Sequence, residues 1–140
     1  MLETLRSIVQ EVNDAPDLGA ALQIIIHRVK QAVEADACSV YLTDVDKQEC
    51  VLRATDGLRA HAVGRVRIPL TKGLIGLVAG RAEPINLDDA PSHESFLFVP
   101  ETGEQPYHGF LGVPLIQSRQ VLGVLAVHPL EPRNIDRAEE

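Results

Sequence analysis

Two strand-length runs joined by a short polar link, Phe110-Leu-Gly-Val-Pro-Leu-Ile116 and Val121-Leu-Gly-Val-Leu-Ala-Val127, constrain the fold of this chain more than any other feature. In an extended run Leu111, Val113 and Leu115 point one way and Phe110, Pro114 and Ile116 the other, yet both sets are apolar. A hairpin apolar on both sides must lie inside a sheet covered on both faces. The two runs hold no Ser, Cys, Asp or His that could act as nucleophile or base, so they read as scaffold. Pro114, in mid-strand, predicts a bulge or an unpaired position.

A chain of 140 residues fits one domain and can bury a core without disulfides or metals. Its apolar stretches stay far below the roughly 18 residues of a membrane span. The opening Met-Leu-Glu-Thr-Leu-Arg has no basic segment leading into an apolar one, so a cytoplasmic location is expected. The formal net charge of -7 argues against nucleic acid and anionic membrane as partners. Against that balance, Arg53, Arg59, Arg65, Arg67 and Lys72, with His61, are interrupted by a single acid, Asp56. The cluster reads either as an anion site or as a charged loop and edge strand that discourages edge-to-edge pairing.

Leu2, Leu5, Ile8, Val9 and Val12 recur at helical spacing and predict a first amphipathic helix of about 12 residues. Its near-heptad rhythm suits packing on its own domain or against a second copy. Asp17 can cap a second helix reaching about Glu34, with Leu18, Ala21, Leu22, Ile25, Val29 and Val33 inward. Alternation over residues 37–43 and 49–55 predicts a hairpin, with Cys38, Val40 and Leu42 on one side and Ser39, Tyr41 and Thr43 on the other. On the second strand Cys50, Leu52 and Ala54 are expected inward. Cys50 then falls opposite Thr43, five residues along from Cys38, or roughly 17 Å at about 3.3 Å per residue. That exceeds the ~7 Å limit for a disulfide and predicts two buried free thiols.

Val66, Ile68 and Leu70 suggest a third strand, and residues 73–80 a short helix. Its Gly73, Gly76 and Gly80 match no phosphate-loop spacing and are read as permitting close approach to the sheet. Residues 85–87 form a possible short strand, followed by a long loop to Gly109. Asp44 and Asp46 lack the Gly and distal Glu of a calcium loop, and the five histidines lack ligand spacing. The loop residues Asn86, Asp88, Asp89, Ser92, His93 and Phe96, beside a sheet buried on both faces, are where binding side chains are expected. Asp136 and Glu139 have the spacing of a helix-opening capping box, so the chain is expected to be a fragment whose next helix leads into another domain.

Taken together, Ala37-Cys-Ser-Val-Tyr-Leu-Thr-Asp44, Thr55-Asp-Gly-Leu58, Leu70-Thr-Lys-Gly-Leu-Ile-Gly76, Glu83-Pro-Ile-Asn-Leu-Asp88 and Val113-Pro-Leu115 resemble the GAF domain pattern, in its order and over nearly the whole chain. Ala82-Glu-Pro-Ile-Asn-Leu-Asp-Asp-Ala90 with His93 and Ser95-Phe96 is more specific, as is the hairpin with Arg119-Gln120. These resemble the N-terminal sensor domain of the nitrogen-type phosphoenolpyruvate-protein phosphotransferases.

That resemblance implies an α+β sandwich: a six-stranded antiparallel sheet with helices on one face and a loop-covered pocket on the other. It implies a regulatory domain without catalysis of its own, biasing autophosphorylation in an enzymatic parent according to glutamine or 2-oxoglutarate. The phosphoacceptor histidine, the Mg2+ and the phosphocarrier partner would belong to that parent. For the pocket, Ser39, Tyr41, Arg67, Asn86, Asp88 and Phe96 are the expected ligand contacts, with no metal and no cofactor in this chain. A homodimer is expected. Two alternatives stay open: a ligand-free dimerisation or relay module, and the sensor domain of a nitrogen-fixation transcription activator. Cyclic-nucleotide, bilin and methionine-sulfoxide members fit less well, because their motif or cysteine positions do not occur here.

Overall fold

A computed structural model describes residues 2–97 and 109–128 of the chain. The capping pair Asp136 and Glu139, and His108 of the long loop, lie outside the described residues.

Helix α1 (Leu2–Asp14) packs on helix α2 (Leu18–Val33). The Asp17 side chain accepts from the Ala20 N–H at 2.8 Å and opens α2, satisfying a donor that the first turn leaves orphaned. Glu34, left-handed with φ 55°, ends it. Ile26 is fully buried, and Leu22, Val29 and Val33 pack against the same core. Leu18 and Ile25, expected inward, are 64% and 37% exposed. The run Ile24-Ile25-Ile26 leaves the helical phase ambiguous, and the sheet selects the row of Leu22, Ile26, Val29 and Val33.

Strands β1 (Ala37–Asp44) and β2 (Glu49–Asp56) form the first hairpin, with Thr43 opposite Cys50 as expected. The register then slips: Val40 pairs with Ala54 but Tyr41 with Leu52, leaving exposed Arg53 as an extra residue. This bulge turns Ala54 to the α2 side with Cys38 and Val40, while Cys50 and Leu52 face the opposite core. The strict alternation expected for this strand is broken there.

Strand β3 (Arg67–Pro69) borders β2, helix α3 (Gly73–Arg81) follows, and β4 (Ile85–Leu87) precedes the long hairpin of β5 (Phe110–Gln117) and β6 (Gln120–His128). The sheet is antiparallel throughout, in the order β3-β2-β1-β6-β5-β4. The two apolar runs therefore occupy interior positions, with α1 and α2 over one face. The other face carries the loops and also α3. Its Gly76 lets the helix approach the end of β3, since a Cβ there would lie 2.8 Å from the Pro69 carbonyl oxygen. Pro114 sits past the last β4 pair, where β5 has a neighbour on one side only, and a register shift follows at Leu115/Ile116.

The β5–β6 link is a two-residue turn, Ser118-Arg119, with φ of 51° and 65°. Two positive φ values give the twist that a tight hairpin needs, but Asn-Gly adopts them far more readily than Ser-Arg. The double variant Ser118→Asn, Arg119→Gly should raise unfolding stability by about 0.5–1 kcal/mol in denaturant titration. An unchanged or lower midpoint would show that the turn is not under this strain.

Candidate functional site

On the α3 face, four strands and a helix surround a small cavity. Tyr41 rises from β1, Phe110 from β5, His128 from the end of β6 and Ile68 from β3. Gly73, Leu74 and Ile75 of α3 form a second wall, and Ala90, Phe96, Leu97 and Gly109 close the rest. The free volume is about 30 Å³, room for roughly two waters at 10–15 Å³ each.

Tyr41 is 1% exposed, and the His128 ring lies 5.6 Å from that of Phe110, tilted by 55°. The alternation along β6 sends Val124, Ala126 and His128 to this face, above a fully buried Val124 and Ala126. Burial pushes the His128 imidazole down to about 4, against a weaker upward pull from its backbone hydrogen bond with Gly109. At neutral pH the ring is uncharged. Among the described residues, no Asp, Glu, Lys or Arg lines the cavity.

A second, wider space of about 570 Å³ runs along the outer side of α3. Leu70, Thr71 and Lys72 bound one end, Gly80 and Arg81 the other, and Glu94 and Ser95 stand opposite. Phe96, Leu97 and Gly73 line this cleft as well.

Of the six expected contacts, the cavity gathers Tyr41 and Phe96. Ser39 does not line it and is fully buried, its hydroxyl hydrogen-bonded to that of Thr55 at 2.8 Å. Arg67 lies on edge strand β3, where Nη1 donates to Asp44 Oδ2 at 3.1 Å and Glu49 Oε1 at 3.3 Å. That hydrogen bond holds the Asp44 carboxyl below the usual carboxylate range and raises the guanidinium above its own. Asn86 is half-buried on β4 at the opposite edge, paired with Leu111, and Asp88 is exposed beyond it. Arg67 and Asn86 are thus five strand spacings apart, roughly 24 Å along the sheet, too far for one small ligand. His128 was not anticipated, although the apolar alternation of 124 and 126 points to it.

The cysteines are free and buried. Burial, then the nearby Asp56 charge, pushes the Cys38 thiol up to about 12, and burial raises Cys50 too, so neither is a thiolate at neutral pH. Among the described residues, no group of three His, Cys, Asp or Glu side chains could hold a metal ion, and no helix is long and apolar enough to cross a membrane.

This sheet, with two helices behind and a third over a cavity in front, defines an α+β sandwich. The GAF domain family model matches residues 17–140, and the chain belongs to that family. It is 45% identical over 140 residues to the phosphoenolpyruvate-dependent phosphotransferase system protein of Escherichia coli, covering all of this chain and 19% of that protein. The chain therefore spans about a fifth of that relative. The GAF domain of a phosphoenolpyruvate-protein phosphotransferase from Coxiella burnetii superposes with a TM-score of 0.88 at 47% identity, covering 99% of this chain and 83% of that one. The corresponding Acinetobacter domain gives 0.84 at 40%, covering 99% and 82%. This chain is accordingly a GAF domain of the phosphoenolpyruvate-protein phosphotransferase kind.

The depressed His128 value has a consequence for stability. The unfolded chain binds the proton below its ordinary value of 6.5, whereas the folded chain binds it only near 4. The unfolded state therefore holds more protons across that window, and stability falls as pH drops through it. Between pH 7 and pH 4.5 the loss should be about 2 kcal/mol. Chemical denaturation at several pH values should show this slope in the wild type, and a flatter profile in His128→Leu. Parallel profiles would rule out His128 as the source.

Proposed function

We propose that this chain is the regulatory, small-molecule-sensing domain of a phosphoenolpyruvate-protein phosphotransferase of the nitrogen phosphotransferase system. The observation that carries this reading is the cavity on the α3 face: apolar walls with two convergent polar side chains, Tyr41 and His128. Its likeness to the GAF domains of such phosphotransferases supports the assignment to a parent enzyme. In that reading a nitrogen or carbon metabolite, glutamine or 2-oxoglutarate, occupies this face and biases autophosphorylation in the parent's catalytic region. The catalytic histidine, the Mg2+ and the phosphocarrier contact lie in that region, and the whole protein works in the cytoplasm. The free volume of about 30 Å³ is smaller than either metabolite, so binding must widen the cavity.

Calorimetric titration of the 140-residue chain with each metabolite should give saturable binding with at least one of them. Silence with both at millimolar concentration would defeat the sensing role.

A second reading, dimerisation through the helical layer, has its own observation. Val9 of α1 and Leu18 and Ile25 of α2 are 49%, 64% and 37% exposed on that layer. Light scattering should return a dimer mass for the wild type and a monomer for Leu18→Glu, and a wild-type monomer at high concentration would remove this reading.

A further inference from the structure

The described histidines differ in what holds their rings. His128 is buried and hydrogen-bonded to Gly109. In His93 the Nδ1 atom accepts the Ser95 N–H at 3.0 Å, so the neutral ring carries its proton on Nε2. His61 is exposed and has no hydrogen bond or ion pair with the described residues. His27, on the helical layer, is the one among them set against a carboxylate. Its Nδ1 lies 2.7 Å from Asp56 Oδ2, and its side chain is 56% exposed.

The partner fixes the tautomer. The hydrogen bond from His27, and after it that from Lys30, hold the Asp56 carboxyl below its ordinary value, so it is ionised at neutral pH. An ionised carboxylate only accepts, and the bond therefore runs from Nδ1–H to Asp56. Lys30 Nζ, 3.2 Å from Oδ1, already balances the carboxylate's charge, so a neutral imidazole is sufficient as the second donor. The neutral ring then has its proton on Nδ1 and its lone pair on Nε2, which bonds to none of the described residues. A carboxylate behind one nitrogen orients the ring and makes the other nitrogen more basic, the arrangement of an activated nucleophile.

The surroundings limit what that nitrogen can attack. Neither the cavity nor the outer cleft includes His27, so it has no enclosed donors for the oxyanion of acyl transfer. Phosphoryl transfer passes through a loose transition state and asks mainly for a positioned nucleophile and charge balance. As Nε2 bonds to phosphorus the ring gains positive charge, and the Asp56 carboxylate is already in place to stabilise it.

We propose that His27 is a phosphoryl acceptor at Nε2, with Asp56 as its positioning residue and an N-phosphoryl compound, such as a phosphorylated imidazole, as the class of donor. The Nε2 lone pair forms the new N–P bond while the donor's P–N bond breaks. The electron pair of that bond leaves with the protonated donor nitrogen, which departs as a neutral base. The phosphorylated ring keeps its Nδ1–H on Asp56. This site lies on the opposite side of the sheet from the cavity and does not depend on metabolite binding there.

Phosphoramidate is a small-molecule donor of this class that reaches any exposed imidazole, so His61 serves as the internal reference. On the 140-residue chain, peptide mass spectrometry at basic pH should show His27 phosphorylated about tenfold faster than His61, and faster than His93. Nitrogen NMR should find the wild-type His27 proton on Nδ1, and the phosphoryl group of the product on Nε2. Asp56→Asn should slow His27 about tenfold, leave His61 unchanged and spread the product over both ring nitrogens, with Asp56→Glu restoring part of the rate. The unchanged His61 rate separates lost positioning from lost folding. Equal rates at His27 and His61 would overturn the proposal, and so would a wild-type His27 proton on Nε2 or a phosphoryl group on Nδ1.

Discussion

The structure depends on β1 and β6 being buried on both faces. These strands lie in the centre of the sheet order, and their side chains feed two separate cores, one under α2 and one under α3. Val40 and Val127 go to the first, Tyr41 and Val124 to the second, each 2% exposed or less. At about 1.5–3 kcal/mol per fully buried side chain, this double burial outweighs any surface pairing in the chain. It also demands close approach of backbone to backbone. Gly123 of β6 lies so near β1 that a Cβ would come within 2.1 Å of the Tyr41 carbonyl oxygen, a position that only glycine fits.

Two cores on one sheet require each strand to serve both, and the bulge at Arg53 shows how β2 does so. Its first half supplies Cys50 and Leu52 to the α3 side, and after the extra residue it supplies Ala54 to the α2 side. Polar contacts then fix where α2 lies over that end of the strand. Gln23 Nε2 donates to the Thr55 carbonyl at 2.6 Å, while His27 and Lys30 donate to Asp56 at 2.7 and 3.2 Å. These bonds, led by that from His27, hold the Asp56 carboxyl below its ordinary value. Such part-exposed ion pairs contribute little energy each, so their effect is to set register. Gly57 completes the corner with φ +116°, tucked where a Cβ would lie 2.6 Å from Ala37.

Most of this architecture was legible because it is written in periodicity. The greasy hairpin, the first hairpin with Thr43 opposite Cys50, the Asp17 cap and the short strand at 85–87 all followed from local spacing and residue type. What was not legible depends on tertiary choices. Three successive isoleucines do not say which faces the sheet, and alternation cannot announce the bulge at Arg53. The expected site residues suffered likewise. Ser39 and Arg67 have the right chemistry for ligand contact, but one is engaged by Thr55 and the other by Asp44 and Glu49. Sequence shows which side chains can bind something, and only the fold shows which are already bound.

The hairpin of β5 and β6 was identified as scaffold because its apolar runs hold nothing reactive, and the residue that follows the second run supplies the cavity's imidazole. That placement follows from the same alternation that buries Val124 and Ala126. A strand committed to a two-faced core can present a polar group to a cavity only at its end, where the core gives way to space. The group must then tolerate desolvation. An ammonium or carboxylate there would carry an unpaired buried charge, whereas an imidazole sheds its proton and keeps its hydrogen-bonding capacity. Among the described residues, the uncharged lining around Tyr41 and His128 is therefore a consequence of building the cavity on the most deeply buried strands, and the nearest charged residues stand at the rim of α3.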